Sequence, residues 1–237
     1  MLNIDPKANK DTHDMSKLYL IRHGQASFGS SNYDQLSDLG TQQSTWLGEY
    51  FKELAVSPTR IIRGDLQRHK QTANAIVDGL GCNITQEENA DWNEFDFHMI
   101  GRSYLANHPD RMPEPGDVKG FFSILRKGLL AWSKNELSGD IPETWQQFET
   151  RVRSVLALAT NQSSGETVFV VSSGGTISMT LQILMQFSPE TTIDLNLQTR
   201  NTGLSEVFFN AERAYVSSFN TVPHLAAKAR KKAITSA

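Results

Sequence analysis

Cysteine is nearly absent: one residue, Cys82, in 237. A single thiol cannot close an intramolecular disulfide or by itself make a thiolate metal site, so a disulfide scaffold is excluded and a reducing, cytoplasmic setting fits. Long apolar runs are also missing. The longest are short pieces such as 168–171, far below the ~18 uninterrupted apolar residues of a membrane span. Charge of one sign is scarce, with 23 Lys and Arg against 26 Asp and Glu and a formal net charge of −3. No global field therefore gathers nucleic acid or an anionic membrane. The first sixteen residues are polar, carry Asp5, Asp11 and Asp14, and lack the apolar stretch of a secretory signal, which leaves 1–16 as a flexible tail. There is no internal repeat and no low-complexity tract. What is present, 38% hydrophobic and 21% charged side chains, suffices for a sizeable core.

The residues 18–21 form an unbroken apolar run that stops at Arg22-His23-Gly24, as a strand buried on both faces does when it ends in a polar loop. After a loop rich in Ser, Gly and Asn, Ser37 can cap a helix whose Leu39, Trp46, Leu47, Tyr50, Phe51 and Leu54 follow helical spacing. Ser57-Pro58 breaks that pattern, 60–63 supplies a second strand, and 66–80 reads as another helix with Gly79 and Gly81 near its end. This alternation predicts a three-layer α/β/α fold, its mostly parallel central sheet covered by helices on both faces.

The middle of the chain breaks the rhythm. Pro109, Pro113 and Pro115 mark a loop, and helices are expected over 117–134 and 143–160. The block from about 100 to 160 reads as a helical insertion overhanging the site, with Phe121, Phe122, Trp132 and Trp145 as core aromatics. Then come a strand at 167–171, the turn Ser172-Ser173-Gly174-Gly175, a helix over 176–187, and a hairpin of strands 204–209 and 213–219 around 210–212. The folded domain is expected over 17–225. Residues 226–237 are expected as a solubilising basic tail carrying Lys228, Arg230, Lys231 and Lys232.

In α/β sheets ligands bind beyond the C-terminal ends of the strands, and three such places carry chemistry. Arg22-His23-Gly24-Gln25 joins a guanidinium, suited to binding phosphate through two parallel hydrogen bonds, to an imidazole that can act as nucleophile or base. Between Arg60 and Ala73 several cations crowd a strand end and the first turn of a helix, where the helix dipole favours anions. A bound anion would relieve that conflict, and a solvated basic face is the other reading. Val170-Val171-Ser172-Ser173-Gly174-Gly175-Thr176 is a strand-to-helix turn whose amides can cradle phosphate, or a plain turn.

Taken in order, Leu18-Tyr19-Leu20-Ile21-Arg22-His23-Gly24-Gln25, Asp65-Leu66-Gln67-Arg68 with Gln71-Thr72-Ala73, Glu94 after Trp92, Val170-Val171-Ser172-Ser173-Gly174-Gly175 and the 220–225 stretch resemble the histidine phosphatase superfamily, the phosphoglycerate mutase-like proteins. The resemblance implies phosphoryl transfer from a small phosphorylated substrate through a phosphohistidine at His23. Arg22 and Arg68 would hold the phosphoryl group, Glu94 would protonate the leaving oxygen, and Ser173 and Gly174 would complete the phosphate site. No cofactor and no metal are implied. The family usually carries a second histidine where this chain has Ser173. A serine donates one hydrogen bond but brings no charge, so activity is expected to be reduced or specialised.

His98, four residues after Glu94, is the first candidate to stand in for that histidine. His69, next to Arg68 on a helix, is expected to point roughly 100° away from it. His13, His108 and His224 are assigned to the tail, the insertion and the surface. A weakened phosphate-binding or regulatory protein, a phosphoglycerate-type mutase, and a hydrolase with Ser173 as nucleophile remain alternatives. For the last, Gly175 fits one glycine position of a nucleophile elbow, but Val171 occupies the other. Homodimerisation through a sheet edge or the insertion also stays open.

Overall fold

A computed structural model describes residues 15–27, 34–114, 116–161 and 165–236. The expected tail up to residue 14, the loop at 28–33 and Pro115 lie outside them. Met15 is buried and Ser16 already belongs to the first strand.

Among the described residues six strands form one sheet: β1 (Ser16–Arg22), β2 (Arg60–Arg63), β3 (Gln86–Glu88), β4 (Thr167–Ser172), β5 (Leu204–Phe209) and β6 (Ala214–Thr221). Their order is β3-β2-β4-β1-β5-β6, parallel from β3 to β1, with β5 and β6 added as an antiparallel hairpin. The central strands read as continuous apolar runs because both faces are covered. Leu18, Leu20, Val168 and Val170 pack on one side with α5 (Trp145–Thr160) and α6 (Gly174–Met185). Tyr19, Ile21, Phe169 and Val171 pack on the other with α1 (Asp38–Glu53) and α2 (Gln67–Leu80). Each such side chain contributes about 1.5–3 kcal/mol by burial. Among the described residues no helix is long and apolar enough to cross a membrane.

The helix signals act as read. The Ser37 hydroxyl accepts from the Gly40 amide to start α1, and Gly81, at φ +68°, closes α2 in the left-handed conformation. The two helices cross almost backbone to backbone. A methyl carbon on Gly48 would lie 2.2 Å from the Ile76 carbonyl oxygen, and one on Gly79 2.3 Å from that of Thr45.

The expected insertion divides in two. Val155, Leu156 and Ala159 of α5 pack in the same cluster as β1 and β4, so α5 is one of the layers that cover the sheet. Outside the layers stand α3 (Phe97–Asn107) and α4 (Val118–Ser133), whose Ile100, Leu129 and Trp132 meet Trp145, Phe148 and Val152 of α5. Trp132 and Trp145 are core, whereas Phe121 is 38% exposed. Two elements had no bounds assigned from the sequence. β3 is a three-residue polar edge strand, and α7 (Pro189–Asn196) is capped by Ser188 with proline in its first turn.

The last residues do not hang free. The Gln43 side-chain amide donates to the Ala233 carbonyl (2.6 Å), the Asn201 amide donates to the Thr235 carbonyl (2.9 Å), and Arg200 bridges Ser236. Arg230 lies over the Trp46 ring and pairs with Glu49.

Candidate active site

β1 and β4 lie side by side in parallel, with Arg22 opposite Ser172, so the two strands end together and the His23 amide donates to the Ser172 carbonyl at 2.9 Å. The first turn of α2 brings Arg68 and His69 to that end. A 3-10 turn at Ala90–Trp92 delivers Glu94. Arg22, His23, Arg68, His69 and Ser173 are all buried.

The loop after β1 is fixed by its backbone. A methyl carbon on Gly24 would fall 2.3 Å from the Gly40 carbonyl oxygen, so the start of α1 rests directly on this loop. The Gly24 amide donates to the Thr72 hydroxyl (3.0 Å) and the Gln25 amide to Gln43 Oε1 (2.9 Å). The Asn201 side chain and the Thr202 amide donate to the His23 carbonyl, and Arg22 Nη1 donates to the Thr199 carbonyl. Asn201 also accepts from the Thr235 hydroxyl, so the end of the chain is one residue removed from His23.

His23 Nδ1 lies 2.8 Å from the Gly24 carbonyl oxygen. A carbonyl only accepts, so Nδ1 carries the proton of the neutral ring and the lone pair is on Nε2. Burial, then the neighbouring Arg68, Arg22 and His69, hold the His23 pKa well below its ordinary value, so the ring is neutral.

The Glu94 carboxylate accepts the Gly175 amide (3.0 Å) on one oxygen and the Phe95 amide (3.2 Å) on the other. Burial raises its pKa and outweighs those two amides, Arg68 and Arg22, which pull the other way. A methyl carbon on Gly175 would lie 2.3 Å from Glu94 Oε1, and one on Gly174 2.5 Å from Thr199 Oγ1. The glycine pair is thus required by close approach. The segment before Glu94 is pinned by the Ser172 hydroxyl on the Trp92 carbonyl, Thr176 on that of Asn93 (2.7 Å) and Arg151 on those of Asp91 and Asn93. Phe95 then anchors it among Trp132 and Phe148.

The crowd of cations in the second motif is largely answered by protein. Arg60 pairs with Glu87, Arg63 with Glu88 and Arg68 with Asp34, whose other oxygen accepts the Gln67 amide. The Arg68 guanidinium still bears on both His23 and Glu94, as does that of Arg22. An anion entering here meets two guanidinium groups and the N-terminus of α6, beside an imidazole lone pair and a carboxyl group whose pKa burial raises. Among the described residues no group of three or more His, Cys, Asp or Glu could hold a metal ion.

Three histidine expectations need revision. His98 is exposed on α3 against the Phe97 ring. His224 is buried, with Nε2 2.8 Å from the Thr202 hydroxyl and its pKa pushed down to about 3, chiefly by burial. His69, expected to turn away, lies with its ring centre 5.8 Å from that of His23 and its Nε2 2.8 Å from Ser173 Oγ. The signal was in the helix period. Positions 69, 72, 73, 76 and 80 make one buried stripe of α2, so His69 belongs to the inward face. His108 stacks on Tyr104 of α3, and His13 lies outside the described residues.

The family model of the histidine phosphatase superfamily (branch 1) matches residues 18–222. A Salmonella arizonae protein named "Probable phosphoglycerate mutase GpmB" is 26% identical over 213 residues, which cover 86% of this chain and 90% of the relative. Among solved structures, phosphoserine phosphatase from Entamoeba histolytica in complex with 3-phosphoglyceric acid aligns with a TM-score of 0.65 at 21% identity, covering 89% of this chain and 100% of that one. Phosphoglycerate mutase from Bacillus anthracis aligns with the same TM-score at 16% identity, covering 94% and 99%. At these identities the two structures speak for the fold.

Proposed function

Since the chain belongs to the histidine phosphatase superfamily (branch 1), we infer that it hydrolyses a small phosphomonoester by way of a phosphohistidine at His23. The observation that carries this reading is the state of His23: neutral, with Nδ1–H committed to the Gly24 carbonyl and Nε2 left with a lone pair beside two guanidinium groups.

In the first step His23 Nε2 attacks phosphorus and the ester P–O bond breaks. Glu94 gives its proton to the leaving oxygen, which departs as the alcohol. In the second step water attacks the phosphohistidine, the Glu94 carboxylate takes the water proton, the P–N bond breaks, and orthophosphate leaves with His23 restored. Arg22 and Arg68 neutralise charge on the non-bridging oxygens throughout, with the Gly174 amide and Ser173 hydroxyl as further donors. None of these steps needs a metal ion. The raised pKa of Glu94 supports its place as the acid, and arriving phosphate charge favours its protonated form further. Ser173 supplies a donor without a positive charge, so turnover is slower than with an imidazole there, by a factor on the order of a hundred.

The test is phosphate release from a panel of phosphomonoesters without added metal, by the native protein and by His23→Ala. Release by the native protein is expected to vanish in the variant, a loss of at least roughly 10⁴-fold, and rapid acid quench is expected to trap acid-labile phosphate on the native protein alone. Release that survives in His23→Ala overturns the reading. Transfer of the phosphoryl group to an alcohol in place of water would identify a mutase.

A further inference from the structure

Ser173 occupies the N-cap position of α6 with extended backbone angles (φ −112°, ψ 167°), yet its hydroxyl does not cap the helix. A serine there ordinarily accepts from an amide of the first turn, an interaction worth ~1 kcal/mol. Here Oγ lies 2.8 Å from His69 Nε2. Both side chains are sealed from solvent, His69 at 0% and Ser173 at 1% exposure. The other nitrogen of the ring, Nδ1, has no hydrogen-bond partner among the described residues. It sits so close over Gly64 that a methyl carbon there would be 2.3 Å away.

That orphan decides the direction of the hydrogen bond. Burial, then Arg68 and Arg63, keep the His69 ring neutral, so it carries one proton. Were that proton on Nδ1, a buried N–H would face no acceptor, which native proteins avoid more strictly than an unused lone pair. The proton is therefore on Nε2 and is donated to Ser173 Oγ. The serine's own proton is then directed elsewhere, and the centre of the His23 ring is 5.8 Å from that of His69. A serine nucleophile would need the opposite arrangement, with Nε2 accepting.

We propose that His69 is a positioning residue for the phosphoryl transfer: its Nε2–H holds the Ser173 oxygen so that the Ser173 hydroxyl donates to an oxygen of the phosphoryl group moving to His23. The proposal rests on the phosphatase reading above. An imidazole absent from position 173 thus acts on the site from α2, through one hydroxyl.

The experiment compares His69→Leu, His69→Gln, Ser173→Ala and the double variant His69→Leu/Ser173→Ala, with sites counted by the phosphohistidine burst. His69→Leu and Ser173→Ala are each expected to lower kcat by roughly ten- to a hundredfold with KM little changed, because a donor of this kind acts in the transition state. The double variant is expected to fall no lower than Ser173→Ala alone, and His69→Gln, which keeps a side-chain N–H, to regain part of the rate. Independent losses in the double variant, or an unchanged kcat in His69→Leu, overturn the proposal. Should His69→Leu not fold, long-range ¹H–¹⁵N NMR of the imidazoles in the native chain decides: the His69 proton on Nε2 supports the proposal, and on Nδ1 overturns it. Labelling of Ser173 by a fluorophosphonate also overturns it. If His23→Ala abolishes release while His69→Leu matches the native protein, this proposal alone falls. If His23→Ala still releases phosphate, both fall.

Discussion

The strand ends that carry Arg22, His23 and Ser173 and the helical pair α3–α4 obey different rules. At the strand ends every side chain named is buried, the loop after β1 touches α1 through two glycines with no room for a methyl carbon, and the backbone is hydrogen-bonded on several sides. Around α3 and α4 the chain exposes large apolar groups instead: Met112 at 65%, Val118 at 64% and Phe121 at 38%. The contrast separates two tasks. Groups that must meet within tenths of an ångström are set where the sheet and two helix ends leave no slack, and the surface with slack is the one free to change its composition.

The sharpest way to break this comparison is at Glu94. Glu94→Gln is expected to lower kcat by about 10²–10⁴-fold and to remove the fall in activity that follows as rising pH deprotonates the acid. It is also expected to raise the melting temperature near neutral pH. A carboxyl group whose pKa is higher in the folded state contributes stability below its unfolded value that is lost as pH rises through the folded one, and glutamine escapes that loss. Activity and stability moving together would contradict the assignment of Glu94 as an acid.

Gly24→Ala tests the absence of slack. The added carbon meets the Gly40 carbonyl oxygen, so a loss of about 1–3 kcal/mol in a denaturant titration is expected, with weaker phosphate release. An alanine variant of native stability and rate would show that α1 yields to the loop.

Acid probes the same region more gently. His23, His69 and His224 all have lowered pKa values, caused first by burial. The stability their neutral forms contribute is complete above the unfolded pKa of about 6.5 and is lost as pH falls towards the folded values, about 3 for His224. Each histidine then removes about 1.4 kcal/mol per pH unit. Melting temperatures at pH 7 and pH 5 check this, and equal values would contradict it. The smallest effect is expected on the helical pair. Phe121→Ser should change stability by no more than about 0.5 kcal/mol and leave kcat intact, with any shift confined to KM among bulky phosphomonoesters.

Much of the fold was legible because local signals agreed with tertiary need. The apolar run at 18–21 and the span 204–209 became β1 and β5, and Ser37 caps α1 as its position before the apolar stripe requires. β3 carried no signal, since three polar residues at a sheet edge are held by pairing with β2 alone. α7 could have been read from Ser188-Pro189. In the site, Arg22 and His23 are legible from the strand they end. Glu94 is legible only through the family resemblance, because its orientation depends on the amide of Gly175, 81 residues later. His69 was misread by comparing it with Arg68 alone. At the first turn of a helix that meets a crevice end-on, neighbours 100° apart can both border it.

The contacts of Ala233, Thr235 and Ser236 with Gln43, Asn201 and Arg200 have a mechanical side. Tension applied at Ser236 runs through Thr235 to Asn201 and from its side chain to the backbone oxygen of His23, without first crossing the sheet. Tension applied at Met15 instead loads β1 along its length, where two flanking strands share it. The molecule therefore has a stiff handle at Met15 and a sensitive one at Ser236, and a reporter attached at the sensitive handle moves with the backbone that holds the imidazole.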